Sequence, residues 1–491
     1  MRRIKIFSAA QIKEIDRLTI EKQGIASWQL MERAVDNLLP RIMDHVSVEE
    51  KITIMAGVGN NGGDGLALAR KLKERGYEVE VLIVPFSRRK SEDFLLNLQR
   101  LEVTGVPYAN FKGYVPYDTD VVVDAVFGVG LNRPAKGVAA EAIKAVNEGN
   151  FRRFSVDMPS GLYADTLNAP DDPVVKADKV FTFQFPKYSF FFSENEAFVP
   201  RFEIIDIGLD EDAIAAMPAD KYYLIGIDPL PPRRRFAAKW DFGHAVIVGG
   251  SLGKSGAVCF SAQAAMRTGA GWTTVHVPEE LCVVLQTRCP EIMCVPAEGK
   301  EKVRKITLNP SKHTFALGPG LGTAEEAARA MEIFLQQIDK PLVVDADGLN
   351  ILAANPEIMQ HLPANSILTP HSREFGRLAG TWASSPEKFR KAKDFAALHQ
   401  VVLVLKGAYT LITDGTEMIF NSTGNPALAK AGTGDVLTGM ITGFLAQKLP
   451  PLPAAAGAVY LHGLAADRWV EKYAEQSLTP VDLMDLLPEV I

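Results

Sequence analysis

Short apolar segments with strand character alternate with helical segments along the first half of the chain. The strand candidates are Lys51–Met55, Val79–Val84, Asp120–Phe127 and Phe154–Val156, and the helix candidates are Leu66–Arg75 and Val138–Asn147. Strands joined by helices predict a parallel sheet with right-handed crossovers. Ligand-binding loops are expected at the carboxyl ends of such strands. The alternation therefore predicts an α/β fold whose chemistry lies in the loops that follow the strands.

A chain of 491 residues is too long for a single hydrophobic core, so more than one domain is expected. The second half has strand candidates of its own at His244–Val248 and Val401–Leu405. Between the halves, Asp210–Lys239 is rich in proline and arginine but contains no long low-complexity linker. We predict two domains, at residues 1–220 and 235–491, with a junction between them.

The composition argues against several classes of partner. The formal net charge is −6 and no basic run is longer than Arg233–Arg235, so the charge pattern does not indicate a nucleic-acid or membrane surface. No segment approaches the roughly 18 apolar residues that a membrane-spanning helix needs. We therefore predict no nucleic-acid partner and no membrane association.

The cysteines and the amino terminus indicate where the protein works. The four cysteines show no CxxC pair and no histidine spacing of a zinc site, so free thiols in a reducing compartment are expected. Glu14 and Asp16 interrupt any apolar core of a signal peptide. Ser8 and Gln11 instead fit a capping box that opens a helix. We predict a cytoplasmic protein.

Three loops that combine glycine with acidic residues follow the predicted strands of the first half. Gly57–Asp64 matches GxGxxG, but the acidic residue that would bind a ribose after the next strand is missing, which argues against an ordinary NAD-binding fold. The asparagines and the aspartate of that loop are suited to binding a cation or polar ligand groups. Asp124–Pro134 and Asp157–Gly161 each begin with an acid at a strand end. A single loop of this kind is more often a turn or cap, but three at successive strand ends favour a binding site.

These motifs resemble the amino-terminal YjeF family, the NAD(P)H-hydrate epimerases, in NNGGDG at 60–65, DAVFGVGL at 124–131 and DMPSG at 157–161. The resemblance covers residues 1–220 and implies a Rossmann-like parallel sheet. It implies that Asp157 is catalytic and that Asn61, Asp124 and Ser160 hold a potassium ion. The implied contacts to the hydrated nucleotide are Asn60, Asn61, Gly62, Gly63, Asp64, Gly128, Val129, Gly130, Leu131, Asn132, Arg133, Pro134 and Asp157.

Glycine-rich and acidic loops also follow the strand candidates of the second half. Gly249–Gly256 is not a P-loop, because the first glycine of GxxxxGK[ST] would fall on Val248. The other loops are Gly318–Gly322, Asp345–Asn350, Thr369–His371 and Lys406–Thr410. A lysine beside glycine after a buried strand is a reasonable nucleotide contact, and a solvated lysine at a strand end is the simpler alternative. His371 taken alone would more often be a structural histidine.

The segment Asn425–Gly439, NPALAKAGTGDVLTG, has the pattern of a loop that opens a helix. Gly432 and Gly434 lack Cβ atoms, so backbone N–H groups can converge on an anion, and the helix dipole adds to that attraction. A carboxylate here repels phosphate, which is understandable if Asp435 takes a proton from a hydroxyl that attacks a phosphoryl group. An acidic residue in a first helical turn is also common as a cap. The residues alone leave both interpretations open.

This half resembles the carboxy-terminal YjeF family, the ADP- or ATP-dependent NAD(P)H-hydrate dehydratases, in GTGDVLTG, DADGLN and LTPH. The resemblance covers residues 235–491 and implies a ribokinase-like α/β sandwich. It favours the catalytic interpretation of Asp435. The implied contacts to the hydrate are Ala257, Gly320, His371 and Asp435, and those to the nucleotide are Lys406, Gly407, Ala408, Tyr409, Thr410 and Gly434.

Together the two resemblances imply a bifunctional enzyme that repairs hydrated NADH and NADPH, abbreviated NAD(P)HX. The first domain would interconvert the R and S epimers, and the second would dehydrate the S epimer while ADP gives AMP and phosphate. The implied cofactors are K⁺ at the epimerase site and Mg²⁺ with ADP or ATP at the dehydratase site. We expect NAD(P)HX and the nucleotide as small-molecule ligands, and a homo-oligomer.

Two alternatives of a different class stay open. The second half could be a small-molecule kinase of the ribokinase-like group, such as a hydroxymethylpyrimidine kinase, which would release a stable phosphorylated product. The first half could be a non-catalytic binding module, because a fold does not determine a function, although its set of polar site residues is complete. The residues do not decide between ADP and ATP, and the resemblance to fused bacterial proteins implies ADP.

Overall fold

The computed structural model describes residues 1–228, 230 and 232–491. Within them the chain divides into two compact units. The amino-terminal unit comprises Lys5–Ala219, and the carboxy-terminal unit comprises Met1–Ile4 together with Asp220–Ile491. Pro229 and Pro231 of the predicted junction lie outside the described residues. The membership of the first four residues in the carboxy-terminal unit was not predicted from the sequence.

The amino-terminal unit is built around a parallel sheet. The chain opens with β1 (Arg2–Lys5), and the helices that follow are α1 (Ala9–Gln23), α2 (Ser27–Met43), α3 (Asn60–Glu74), α4 (Glu92–Thr104), α5 (Val138–Glu148) and α6 (Glu211–Ala216). The strands are β2 (Lys51–Ala56), β3 (Glu78–Ile83), β4 (Tyr108–Asn110), β5 (Val121–Ala125), β6 (Arg152–Val156), β7 (Lys179–Phe183) and β8 (Phe202–Ile205). In the described part of this unit, seven strands lie in the order β4-β3-β2-β5-β6-β7-β8, and every neighbouring pair is parallel. The carboxyl ends of β2, β5 and β6 therefore meet at one edge.

The sequence explains why some of these elements form. The predicted capping box of α1 is confirmed, because the Ser8 side chain accepts from the Gln11 backbone and the Gln11 side chain accepts from the Ser8 backbone. β5 consists of three valines followed by Asp124 and Ala125, and all five residues are buried. A central parallel strand is covered on both faces and requires such an apolar run. A carboxylate in this strand must therefore be compensated locally.

α3 begins earlier than its sequence predicts. It starts at Asn60 rather than near Leu66, so the polar residues of the predicted glycine loop lie in the first turns of the helix. Glycine permits this start, because a Cβ at Gly62 would lie 1.8 Å from the carbonyl oxygen of Gly57. The helix N-terminus consequently follows β2 directly, at the carboxyl edge of the sheet.

The carboxy-terminal unit is larger and also α/β. Its strands after β1 are β9 (Lys221–Gly226), β10 (His244–Val248), β11 (Trp272–Pro278), β12 (Met293–Ala297), β13 (Thr314–Leu317), β14 (Val343–Val344), β15 (Ile367–Leu368), β16 (Val402–Leu405), β17 (Leu411–Thr413) and β18 (Met418–Asn421). Its helices are α7 (Ser255–Arg267), α8 (Glu279–Arg288), α9 (Glu325–Leu335), α10 (Asp347–Ala354), α11 (Pro356–Met359), α12 (Ser372–Ala379), α13 (Ser385–His399), α14 (Thr433–Ala446), α15 (Pro451–Val470) and α16 (Pro480–Val490).

These strands form one sheet of mixed direction. Among the described residues, eleven strands lie in the order β1-β9-β18-β17-β16-β15-β14-β13-β10-β11-β12. The pairs from β12 to β16 are parallel, whereas β17 runs antiparallel to both β16 and β18. The predicted fold class, two α/β domains on parallel sheets, is confirmed, with this antiparallel region as an addition.

The junction predicted near 220–235 contains a strand of the carboxy-terminal sheet. β9 lies within it and pairs in parallel with β18, and its Leu224 is fully buried in the core of the carboxy-terminal unit. The assignment of one activity to residues 1–220 and another to 235–491 stays a prediction. No helix in the described ranges is both long and apolar enough to cross a membrane.

Two helices of the carboxy-terminal unit approach each other closely through glycine. A Cβ at Gly439 of α14 would lie 2.0 Å from the Ser261 carbonyl oxygen of α7, and a Cβ at Gly443 would lie 2.1 Å from the Thr268 hydroxyl. Helix backbones can pack at this distance only where side chains are missing or small. The packing fixes the start of α7 relative to the start of α14.

Candidate active sites

A pocket of about 830 Å³ lies in the amino-terminal unit at the carboxyl ends of β2, β5 and β6. The predicted residues that line it are Asn60, Asn61, Asp64, Gly128, Val129, Gly130, Leu131, Asn132, Arg133, Pro134 and Asp157. Gly62 and Gly63 are buried in α3 and do not line the pocket. Lys13, Arg133 and Lys136 are exposed cations along the pocket. Such cations suit a ligand that carries phosphate groups.

Asp157 forms a buried ion pair with Lys187. The Lys187 side chain is 1% exposed, and its Nζ donates to Asp157 Oδ1 at 2.5 Å and to the Thr182 hydroxyl at 2.6 Å. The Phe183 N–H also donates to Oδ1, at 3.3 Å. Asp157 Oδ2 lies beside Gly128, where a Cβ would be only 3.1 Å away. One carboxylate oxygen is therefore held by the protein, and the other faces a space that glycine keeps open.

Lys187 was not predicted from the sequence. It stands in the aromatic segment FQFPKYSFFF at 183–192. A lysine in such an apolar segment is rarely buried without a partner. Its position therefore indicated that an acidic partner lies nearby. Asp157 itself has φ 64, a left-handed conformation that costs free energy for a non-glycine residue and is often found at functional sites.

Asp124 and Ser160 are in direct contact. The Ser160 hydroxyl donates to Asp124 Oδ1 at 2.5 Å, its N–H donates to Oδ2 at 2.8 Å, and the Ser155 hydroxyl donates to Oδ2 at 2.9 Å. Burial raises the pKa of the Asp124 carboxyl, and the hydrogen bonds from Ser160 oppose that effect. These donors compensate the carboxylate inside the apolar strand β5.

The donor chemistry of Asn61, Asp124 and Ser160 fits a hard cation. The Asn61 amide nitrogen donates to the Val156 carbonyl oxygen at 3.2 Å, and its amide oxygen makes no hydrogen bond within the described residues. Amide, carboxylate and hydroxyl oxygens are ligands of hard ions rather than of zinc. In the described part of the chain, no group of three or more histidine, cysteine or acidic residues could hold a metal. A site here would therefore depend on neutral oxygen atoms as well as on Asp124.

Two further acids belong to the same pocket. Asp64 is buried in α3, and burial, together with the charge of Asp157, raises its pKa well above the usual value. Asp16 of α1 also lines the pocket, and burial raises its pKa to about 6, with a further contribution from Asp157. Asp16 was not predicted as a site residue from the sequence.

In the carboxy-terminal unit, Asp345 and Lys406 form an ion pair where β14 and β16 end. Lys406 Nζ donates to Asp345 Oδ1 at 3.0 Å, and the Thr438 hydroxyl of α14 donates to Oδ2 at 2.6 Å. Burial acts to raise the pKa of Asp345, but Lys406 and Thr438 outweigh it and hold the pKa below its usual value. Asp345 is therefore ionised and keeps Lys406 in place.

Asp435 lies in the first turn of α14, but it is not the cap of that helix. The N-cap is Gly432, which has φ 93 and no side chain that could cap the helix. The Asp435 carboxyl forms no hydrogen bond or ion pair within the described residues. Burial raises its pKa to about 7, Asp345 contributes to the rise, and Lys406 opposes it. An unpartnered carboxylate that titrates near neutrality suits a general base.

The glycine loop before Asp435 is held in place from behind. His462 is buried, and its Nε2 donates to the Thr433 carbonyl oxygen at 2.9 Å. Burial lowers the pKa of His462 to about 4, so the ring is neutral. Lys406 Nζ would lie 3.5 Å from a Cβ on Gly434. The missing side chain at Gly434 leaves room for an anion beside the lysine.

Ala257 and Gly320 are brought together, because a Cβ at Gly320 would lie 3.5 Å from the Ala257 Cβ. That Cβ would also lie 2.7 Å from the Lys254 carbonyl oxygen, and φ is 62, so glycine is required. Lys254 Nζ pairs with Asp347 at 3.1 Å, and Asp347 also accepts from the Gly322 N–H at 2.8 Å. The loops after β10, β13 and β14 therefore converge.

His371 has a structural role and an exposed nitrogen. Its Nδ1 accepts from the N–H groups of Arg373 and Glu374, at 3.1 and 3.2 Å, and so caps α12. The ring proton must then lie on Nε2. The side chain is 48% exposed, and its Nε2 lies 3.5 Å from Glu374 Oε1. The Lys406 N–H donates to the neighbouring Pro370 carbonyl oxygen, so His371 lies next to the start of the Lys406 turn. His371 can therefore cap α12 and also contact a ligand.

The predicted nucleotide contacts after Lys406 form a turn. Gly407 and Ala408 are exposed, Tyr409 has φ 52, and the Thr410 hydroxyl donates to the Gly407 carbonyl oxygen at 3.0 Å. An exposed turn at the end of a buried strand can bind a ligand through its backbone.

The two halves match two protein families. A family of NAD(P)H-hydrate dehydratases matches residues 245–489, and the family of YjeF-related protein N-termini matches residues 27–189. The chain is 34% identical to the bifunctional NAD(P)H-hydrate repair enzyme Nnr of Moorella thermoacetica, with 99% of this chain and 96% of that protein covered. The chain belongs to the bifunctional NAD(P)H-hydrate repair enzymes. The family predicted from the sequence is confirmed.

A second bifunctional relative and a solved dehydratase structure are also similar to this chain. The Nnr enzyme of Coxiella burnetii is also 34% identical, with 97% of both proteins covered. A crystal structure of the ADP/ATP-dependent NAD(P)H-hydrate dehydratase from Bacillus subtilis, co-crystallised with ATP and Mg²⁺, is 32% identical with a TM-score of 0.45. It covers 53% of this chain and 93% of its own.

Proposed function

We propose that this chain repairs NAD(P)HX with two active sites, an epimerase in the amino-terminal unit and a nucleotide-dependent dehydratase in the carboxy-terminal unit. The chief support is that each unit holds a carboxylate beside a lysine, with an oxygen free to exchange a proton. Asp157 Oδ2 lies beside Gly128 in one unit, and Asp435 lies beside Lys406 and Gly434 in the other. Membership in the bifunctional repair family is consistent with both.

The epimerase chemistry follows from the hydrated ring. NAD(P)HX carries a hydroxyl on C6 next to the ring nitrogen, whose lone pair can expel it. Water then adds to the opposite face and gives the other epimer. Asp157 Oδ2 can exchange the proton of this hydroxyl or water, while Lys187 holds Oδ1 and neutralises the carboxylate. Lys13, Arg133 and Lys136 are available to the phosphates of the nucleotide.

Potassium is proposed for the epimerase site. Asn61, Asp124 and Ser160 would hold it, and when bound it would supply positive charge close to the ends of β2 and β5. Without it, Asp124 depends on hydrogen bonds from Ser155 and Ser160. These residues link the loop after β6 to β5 and thereby position Asp157.

The dehydratase must turn a poor leaving group into a good one. Asp435 takes the proton of the C6 hydroxyl while its oxygen attacks the terminal phosphoryl group of the nucleotide. Backbone N–H groups at Gly432–Gly434 and the Lys406 ammonium stabilise the charge on that group. The ring nitrogen then expels phosphate, and the resulting C6–N cation loses a proton from C5 to the departing phosphate, which leaves NADH or NADPH. With ADP as donor, the other product is AMP.

Mg²⁺ is proposed to arrive with the nucleotide. Such an ion is commonly held by one or two carboxylates plus the phosphates, whose charge it offsets. Asp345 and Asp347 are the carboxylates next to Asp435, and both already accept hydrogen bonds from the protein. Their own contribution to the ion is therefore secondary to that of the phosphates.

One assay tests both activities. Mixed epimers of NAD(P)HX are incubated with K⁺ and Mg²⁺, with ADP, ATP or no nucleotide. We expect complete recovery of the absorbance of the reduced nicotinamide with a nucleotide, together with inorganic phosphate. Without nucleotide, a sample enriched in one epimer should relax to the equilibrium mixture.

The same assay separates the alternatives. A stable phosphorylated product without reduced nicotinamide would identify a small-molecule kinase instead. An unchanged epimer ratio would make the amino-terminal unit a binding module. We further propose that the enzyme works in the cytoplasm as a homo-oligomer, and light scattering of the purified chain tests the second point.

A further inference from the structure

The Asp16 side chain is placed where a second proton-transfer group of the epimerase pocket is needed. Asp16 lies on α1, on the same helical face as Ile12, and both line the pocket that holds Asp157 and Asp64. It reaches the pocket from a helix, whereas Asp157 reaches it from the end of β6. Two acids from different elements thus share one cavity.

Asp16 has no structural task that would explain its burial. Its carboxyl makes no hydrogen bond or ion pair within the described residues, although it is close enough to Asp157 and Lys187 to interact with their charges. The other charged or titratable groups of the pocket are Asp64, whose pKa burial raises, and the exposed cations Lys13, Arg133 and Lys136. A half-buried acid without a partner is unfavourable for folding. Such a residue is retained more readily where it has a chemical role.

Epimerisation needs two proton transfers on opposite faces of the ring. The departing hydroxyl must receive a proton on one face, and the entering water must lose one on the other. Asp157 is a single residue whose Oδ1 is fixed by Lys187, so only Oδ2 is available. A second group supplies the transfer that Oδ2 cannot make from the same position.

We propose that Asp16 is this second acid–base residue, an inference that rests on the proposed epimerase function. Protonated Asp16 gives its proton to the C6 hydroxyl oxygen while the C6–O bond breaks and the nitrogen lone pair forms a C6–N double bond. Water is released and the ring is cationic. A water molecule then forms a new C6–O bond on the other face, the electron pair returns to nitrogen, and the released proton goes to Asp157. The opposite epimer reacts by the reverse sequence.

Asp16 must be protonated when the hydroxyl leaves. The burial that raises the pKa of Asp16 to about 6 predicts that epimerisation by the wild type declines on the alkaline side, as this proton is lost. At neutral pH enough of the protonated form remains for turnover.

Asp16→Asn tests the proposal in the full chain. We expect kcat for epimerisation to fall by about 10²–10⁴-fold, the usual range for loss of an acid–base residue, with KM little changed. The alkaline decline should disappear, and Asp16→Glu should restore part of the rate together with the decline. Glu14→Gln removes an exposed carboxylate from the same helix and should behave as wild type.

Dehydration of the S epimer by the same preparations reports that the chain is folded. The role of Asp16 is overturned if the Asp16→Asn variant epimerises near the wild-type rate. It is also overturned if the variant loses only substrate affinity and keeps the alkaline decline. A wild type that dehydrates but does not epimerise overturns the epimerase function itself, and the role of Asp16 with it.

Discussion

At the scale of single residues, the two proposed sites treat their central carboxylates differently. Asp157 is bonded directly to Lys187, whereas Asp435 has no bonded partner and Lys406 is held by Asp345 instead. Lys187 fixes one oxygen of Asp157 and leaves the other for proton exchange. Burial without a bonded partner raises the pKa of Asp435 to about 7, which suits a general base near neutrality.

Asp435→Asn should abolish dehydration without removing the nucleotide site. The amide keeps the shape but cannot accept the hydroxyl proton, so turnover should fall by about 10²–10⁴-fold while nucleotide affinity is retained. Burial raises the pKa of Asp435 to about 7, so the base is ionised above that pH. Wild-type turnover should therefore rise with pH through about 7, and the residual turnover of the variant should not. Steady-state rates across pH and a nucleotide-binding titration measure these effects.

Stability supplies a second readout for the same variant. A raised pKa means that the folded state holds the proton more tightly than the unfolded state, so ionisation of Asp435 costs stability as pH rises from about 4 through about 7. Asp435→Asn should then melt no lower than wild type at pH 8. Asp485→Asn, which removes an exposed acid of α16, is the matched control. Near wild-type dehydration by Asp435→Asn would reduce Asp435 to a first-turn acid.

The residues that the sequence could not predict are those that act across the fold. Asp157 and Asp435 stand in motifs, because a strand end or a helix start is a local pattern. Lys187 reaches Asp157 from a loop 30 residues further along the chain, and Asp16 enters the same pocket from the first helix. No local spacing encodes such contacts, and only burial rules for charged residues hint at them.

At the scale of elements, strands were easier to predict than helix starts. The predicted strand at His244–Val248 coincides with β10, since a run of β-branched residues dominates it. The start of α3 was missed because three glycines in its first two turns lower its helix propensity, and close packing against the Gly57 carbonyl outweighs that loss. β9 was missed because a short edge-side strand beside a proline-rich segment has the pattern of a linker.

β9 makes a testable difference between two fragments of the chain. A fragment of residues 220–491 keeps β9, whereas residues 235–491 lose it and leave β18 without its parallel partner. Removal of the fully buried Leu224 alone should cost about 2 kcal/mol. We expect the longer fragment to fold and dehydrate the S epimer, and the shorter one to melt several degrees lower. Circular dichroism melts and the dehydratase assay decide, and equal melting of the two fragments would make β9 dispensable.

At the scale of the whole molecule, each proposed site is complete within one unit. The residues around Asp157 all belong to Lys5–Ala219, and those around Asp435 all belong to Asp220–Ile491. The activities are then linked by their shared substrate, because the epimerase converts the R epimer into the form that the dehydratase consumes. Fusion of the units keeps both activities at equal concentration and needs no structural coupling.

Complementation between two damaged chains tests this independence. Asp124→Asn removes the charge from the proposed potassium site and keeps one of the two oxygens that accept hydrogen bonds from Ser155 and Ser160. It should epimerise slowly and without a response to potassium, yet dehydrate normally, so recovery of the reduced nicotinamide stalls when the S epimer is used up. Added Asp435→Asn chain, which still epimerises, should restore complete recovery.

Asp118→Asn, which removes an exposed acid paired with Lys51, is the control. Potassium titrations at constant ionic strength measure the response of epimerisation to the cation. Progress curves of the reduced nicotinamide show whether repair is complete. A wild type indifferent to potassium would remove the cation site, and failure of the mixed variants to complete the repair would show that the sites work only within one intact chain.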